Sequence, residues 1–108
     1  KLTYEDVLTF AKACESGALA QLQILNLANN NIGDAGCTAL AKACASGALA
    51  QLKKLELQYN QIGDAGFTAL AGACASGALP QLEYLKLSGN PASNAAQQAV
   101  NDAINNRQ

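Results

Sequence analysis

Residues 15–44 and 45–74 are identical at 21 of 30 aligned positions, sharing the runs SGALAQL and IGDAG and the phrase TALA. A weaker third copy occupies residues 75–104, and residues 3–14 align with 33–44 as the back half of a copy that has no front. A chain repeating at this period builds a stack, because one short unit cannot bury its own apolar face and must pack on its neighbours. The expected product is a linear array with one continuous core.

Two hydrophobic periods alternate inside each copy. Leu22, Leu25 and Leu27 before Asn30 fit the spacing LxxLxLxxN, as do Leu52, Leu55, Leu57 with Asn60 and Leu82, Leu85, Leu87 with Asn90. Leucines two residues apart point to one side of a short strand, so the spacing predicts parallel strands, one per copy. Behind each strand, Gly33-Asp34-Ala35-Gly36 opens a stretch in which Ala35, Cys37, Leu40, Ala41 and Cys44 recur at helical spacing. Asp34 and Asp64 can accept from the free amides of a first helical turn. Ser16-Gly17, Ser46-Gly47 and Ser76-Gly77 close the helices, glycine being the residue that enters the left-handed position after a helix without steric cost.

The strand motif, followed by Ile-Gly-Asp-Ala-Gly and an alanine-rich helix, resembles the leucine-rich repeat in its long, ribonuclease-inhibitor-like form, also seen in intracellular innate-immune receptors. The resemblance spans practically the whole chain. It implies a short α/β solenoid, helix first, with three parallel strands on the concave face, helices on the convex face, and protein recognition by the concave face. The expected layout is one leucine-rich-repeat domain over residues 1–108: an N-terminal capping helix at 1–18, full repeats at 19–48 and 49–78, and a terminal repeat with a capping helix at 79–108. Members of that family usually carry many more repeats, so a horseshoe deep enough to enclose a partner is not expected.

The ends read as caps. Tyr4, Glu5 and Asp6 replace Asp34, Ala35 and Gly36, making the first helix more polar, while the last carries Gln97, Gln98, Asn101, Asp102, Asn105, Asn106 and Arg107. Polar terminal units are what a free-standing stack needs, so the chain reads as complete. Lys1 in first position is equally compatible with trimming or a fragment.

Cys14, Cys44 and Cys74 share one helix position. Neighbouring helices lie about 8–10 Å apart, beyond the roughly 7 Å limit for a disulfide, so these thiols are expected to stay unpaired. Cys37 aligns with Val7 and Phe67 and reads as a small hydrophobe. With no histidine in the sequence, neither a mixed Cys/His zinc site nor a Ser/His or Cys/His dyad can be assembled; no cofactor, metal or catalytic residue is expected. Asn30, Asn60 and Asn90 form a column whose side-chain amides can serve the backbone of adjacent turns.

A formal net charge of −1 and the absence of a basic run argue against nucleic acid, and no apolar stretch approaches the roughly 20 residues a bilayer span needs. Free thiols favour a reducing compartment, so the expected location is cytoplasmic.

Function is expected where the copies differ. Ile24, Lys54 and Tyr84 form one outward row, Asn26, Glu56 and Lys86 the next, then Ala28, Gln58 and Ser88, with Asn29 and Tyr59 beyond. Tyr59 and Tyr84 are the candidate anchors, since tyrosine gives a large amphipathic contact at low entropic cost. Strands about 4.8 Å apart set Glu56 beside Lys86 and Lys53 beside Glu83, so those charges can also answer each other. The expected partner is a protein or peptide, bound by a patch smaller than the roughly 800 Å² per side of standard interfaces. The alternative is a consensus-like or designed minimal scaffold with no evolved ligand, for which self-association is the remaining property.

Overall fold

A computed structural model describes residues 1–106; Arg107, read above as part of the polar last helix, lies outside them. Among the described residues the order is α1 (Tyr4–Glu15), β1 (Ile24–Asn26), α2 (Gly33–Ala45), β2 (Lys54–Glu56), α3 (Asp64–Ala75), β3 (Tyr84–Lys86) and α4 (Asn94–Asn105). The strands form one parallel sheet in the order β1-β2-β3, with Leu25, Leu55 and Leu85 in register. Each helix packs on the next, giving a strand layer and a helix layer with the core between them. This is the α/β solenoid expected from the alternating periods.

The core follows the repeat. Leu52, Leu55, Leu57, Ile62, Phe67 and Leu70 of the middle unit are fully buried, as are Leu40 and Leu49. Cys37 and Phe67 are fully buried at the aligned position and Val7 nearly so, as the column required. Ala35, placed inward by spacing, is exposed; the adjacent Gly36 takes the inward place because the first turn packs directly on Ile32.

The helices end as expected. Gly17, Gly47 and Gly77 follow the C-terminal caps with φ of 83°, 86° and 105°, the left-handed region. The helix starts differ from expectation. Asp34 was expected to cap its own helix, yet its Oδ1 accepts from Gly63 N and Gly66 N, both at 2.8 Å, at the start of the following helix. A capping side chain must come from the residue before the first turn; Asp34 lies inside α2, and its side chain projects sideways. Asp64 does the same for α4, accepting from Ser93 N at 2.6 Å and from Ser93 Oγ at 3.2 Å. Each aspartate therefore ties one repeat to the next, its negative charge set against the positive end of a neighbouring helix.

The asparagine column is a ladder. Asn60, fully buried, donates through Nδ2 to Leu27 O (2.7 Å), Leu57 O (3.1 Å) and Gln58 O (3.2 Å). Asn90 donates to Leu57 O (3.0 Å) and Leu87 O (2.9 Å), while its Oδ1 accepts from Asn60 N (2.8 Å) and Ile62 N (3.1 Å). Asn30 serves the first unit, accepting from Leu2 N at 2.8 Å and donating to Leu27 O at the same distance. One side chain per repeat thus pairs backbone groups that the tight loops leave over.

All four cysteines are buried, and none forms a disulfide among the described residues. Burial pushes the Cys37 thiol up from 9.0 to about 12, the Asp34 charge adding to it, and Cys37 Sγ donates to Gly66 O at 3.3 Å. Burial likewise raises Cys44 to about 12, with lesser contributions from the neighbouring thiols of Cys74, Cys14 and Cys37. Thiolate is the reactive form, so at pH 8 a thiol reagent should modify the folded protein only at the rate of its unfolding, and all four sites at once in denaturant. Because the folded values of Cys37 and Cys44 are raised, the protein holds those two protons longer than the unfolded chain does. Their contribution to stability is complete below pH 9 and is lost as pH climbs towards 12; a denaturant midpoint that stayed level across that window would contradict it.

Candidate functional site: the strand face

In a strand, side chains alternate sides, so pointing Leu25, Leu55 and Leu85 towards the helices turns their flanking residues outward. The register sets Ile24, Lys54 and Tyr84 in one row and Asn26, Glu56 and Lys86 in the next, as the repeat alignment required. Ile24 is 60% exposed, Tyr59 56% and Tyr84 46%, which puts three of the five large exposed hydrophobic residues on this side of the molecule. Asn26, Asn29 and Lys86 are exposed as well, and Lys54 and Glu56 are half-buried.

The charges pair differently from expectation. Although Glu56 and Lys86 are register partners, the ion pair among the described residues joins Lys54 Nζ to Glu56 Oε2 at 3.8 Å, along one strand. Residues two apart on a strand share a face, and a lysine is long enough to span that spacing. Lys54 Nζ also lies 5.0 Å from the centroid of the Tyr84 ring, a cation–π distance. Glu56 Oε1 accepts from Gln58 Nε2 at 3.1 Å. Tyr84, Lys54, Glu56 and Gln58 are therefore one connected set across two strands.

Gln58 corrects the sequence reading. Expected to project outward, it is 8% exposed and its Oε1 has no partner among the described residues. Position 58 lies beyond the end of β2, where the chain bends into its loop and the strict alternation no longer holds.

Position 59 holds what the sequence did not reveal. Asn29, Tyr59 and Gly89 are equivalent in the repeat, and all three have positive φ, at 62°, 60° and 75°. Asparagine and glycine tolerate that region; a tyrosine there costs about 1–2 kcal/mol. The Tyr59 ring lies over the α-carbon of Gly89, and a β-carbon at Gly89 would collide with it. Gly89, absent from the candidate set, is thus the seat of the aromatic ring. The column Asn-Tyr-Gly, two residue types suited to left-handed backbone around one that is not, was the available signal.

The arrangement presents aromatic and aliphatic surface beside one lysine–carboxylate pair, chemistry suited to contact. Residues 20–41 and 50–71 match the family model described as the leucine rich repeat. Two of the copies are thus similar to the leucine-rich repeat. The two matches fall on the two copies most alike, each running from before a strand into the following helix. No curated protein matches the chain. Among the described residues, no helix of the repeats is long and apolar enough to cross a membrane, and no group of three or more His, Cys, Asp or Glu side chains is placed to hold a metal ion.

Proposed function

We propose that this protein is a non-catalytic binding module that docks a protein or peptide on its strand face, with Tyr59 and Tyr84 as anchors and Ile24, Asn26, Asn29, Lys54, Glu56, Gln58 and Lys86 around them. Leucine-rich repeats typically bind proteins, which supports the class of partner. The observation that carries the reading is Tyr59, which keeps a 56% exposed ring in a backbone conformation that favours glycine or asparagine. For a scaffold selected only for folding, asparagine or glycine suits that backbone better than tyrosine, and this weighs against the ligand-free alternative. The long repeat with a helical return favours the ribonuclease-inhibitor-like form, organised as a capping helix at 1–18, repeats at 19–48 and 49–78, and a terminal unit at 79–108. Buried cysteines outside any disulfide favour the cytoplasm.

Tyr59→Asn separates binding from folding. It should leave the melting temperature equal or higher, by up to about 1 kcal/mol of stability, because asparagine suits the left-handed position. It should also lose, together with Tyr84→Ser, whatever protein the unmodified chain captures from a cell extract. Unchanged capture, or capture lost only along with the fold, would refute the assignment.

A further inference from the structure

The two edges of the sheet are finished differently. Each inner rung passes amides to the next: Leu27 N donates to Glu56 O and Leu57 N to Lys86 O, both at 2.9 Å, and Asn29 N to Gln58 O and Tyr59 N to Ser88 O, both at 3.0 Å. The equivalent amides of the last rung, Leu87 N and Gly89 N, find no acceptor among the described residues. At the opposite end the chain covers part of its own edge, with Asn31 N donating to Leu2 O at 2.8 Å and Thr3 bridging Asn31. Beside the open edge, Leu82, Leu85 and Ile104 floor a groove of about 250 Å³ rimmed by Glu83, Tyr84 and Asn101. That is smaller than the roughly 300–1,000 Å³ of small-molecule sites and suits individual side chains. Leu85 is only partly buried there, whereas Leu25 and Leu55, its register partners, are buried.

We propose that the outer edge of β3 takes up an extended peptide as a fourth parallel strand, with a leucine-like side chain level with Leu85, an acidic one level with Lys86 and a basic one level with Glu83. Strand addition supplies affinity through main-chain hydrogen bonds and specificity through alternate side chains. The charge pattern follows from the rung beneath, where Lys53 stands level with Glu83, Glu56 with Lys86 and Leu55 with Leu85, so that Lys-x-Leu-Glu-Leu is the sequence that fits this edge. A second copy continuing the stack does not fit. With a helix before β1 and another after β3, bringing a second β1 against β3 would drive its α1 into the place α4 holds.

The probe is a blocked peptide with the sequence of residues 51–60, titrated into the whole protein while backbone amide exchange is followed by NMR. Leu87 and Gly89 should slow by tenfold or more at saturation, matching the protection of a formed ladder (about 1.4 kcal/mol per factor of ten). Glu83→Lys should weaken the peptide about threefold, and a peptide carrying Glu in place of its first lysine should recover that loss. Binding that shifts the Tyr59 and Tyr84 rings while leaving the Leu87 and Gly89 amides unprotected would overturn the proposal and support strand-face docking instead. No binding at millimolar peptide, or protection of those amides by concentration-dependent dimerisation without peptide, would overturn it as well.

Discussion

Leu55→Ala should cost about 2–5 kcal/mol and unfold the protein under conditions that the parent tolerates. Leu55 is fully buried at the centre of the sheet, in register with Leu25 on one side and Leu85 on the other. Truncation there opens a void that touches both interfaces of the middle repeat. In a stack, stability is close to a sum of unit and nearest-neighbour terms, so weakening both junctions of the central unit leaves the outer ones without support. Domains of this size hold only about 5–15 kcal/mol in total. Val100→Ala is the comparison: Val100 is equally buried, but it belongs to the terminal helix, loses two methyl groups, and has only one neighbouring helix. It should cost roughly half as much, on the order of 1–2 kcal/mol. Urea unfolding reads both, and a shift of midpoint with unchanged slope means the repeats still unfold together. Equal midpoints for the two variants would contradict a core organised around the central leucines.

Why Leu55 could be singled out from sequence is also why Gln58 could not. The repeat converts one local pattern into a three-dimensional statement, because the side to which Leu25 points is the side to which Leu55 and Leu85 point beside it. Strand register, the leucine core, the buried cysteine column and the asparagine ladder follow from that rule and are present. The rule fails where a side chain serves a repeat other than its own. Asp34 has the identity and the approximate place of a helix cap, yet its carboxylate reaches Gly63 and Gly66 in the next unit; alignment shows which residues are equivalent without showing across which junction a side chain turns. It fails also beyond strand ends, where burial is set by backbone dihedrals that identical spacing does not encode. Gln58 turns inward and Tyr59 enters positive φ one residue apart. The candidate surface was legible as a set of variable outward positions, while the pairing of Lys54 with Glu56 and the seat of Tyr59 on Gly89 depended on rotamers and close approach.

The asparagine ladder gives the other large effect, through a substitution that changes a single group. Asn60→Asp keeps the shape of the side chain and replaces one NH₂ by oxygen, facing carbonyl oxygens that Nδ2 now approaches at 2.7, 3.1 and 3.2 Å. Attraction becomes repulsion at three contacts, in a position with no exposed surface. Leaving a buried acceptor unpaired costs about 1–3 kcal/mol, and burying an ionised carboxylate costs more, so at pH 7 the variant should be largely unfolded. The site resists the charge, which holds the folded carboxyl above the unfolded value of about 3.9. The penalty is therefore smallest below that pH, where both states are protonated, and grows as pH rises until the folded group also ionises. Asn60→Ala removes the same donors without adding a charge, so its cost should stay level across that range. The gap between the two variants, followed by denaturant unfolding from pH 3.5 to 7, isolates the electrostatic part. Should the aspartate variant unfold at the parent's midpoint at pH 7, Nδ2 would not be what joins Leu27 to Leu57, and the ladder would lose its place as the polar spine of the stack.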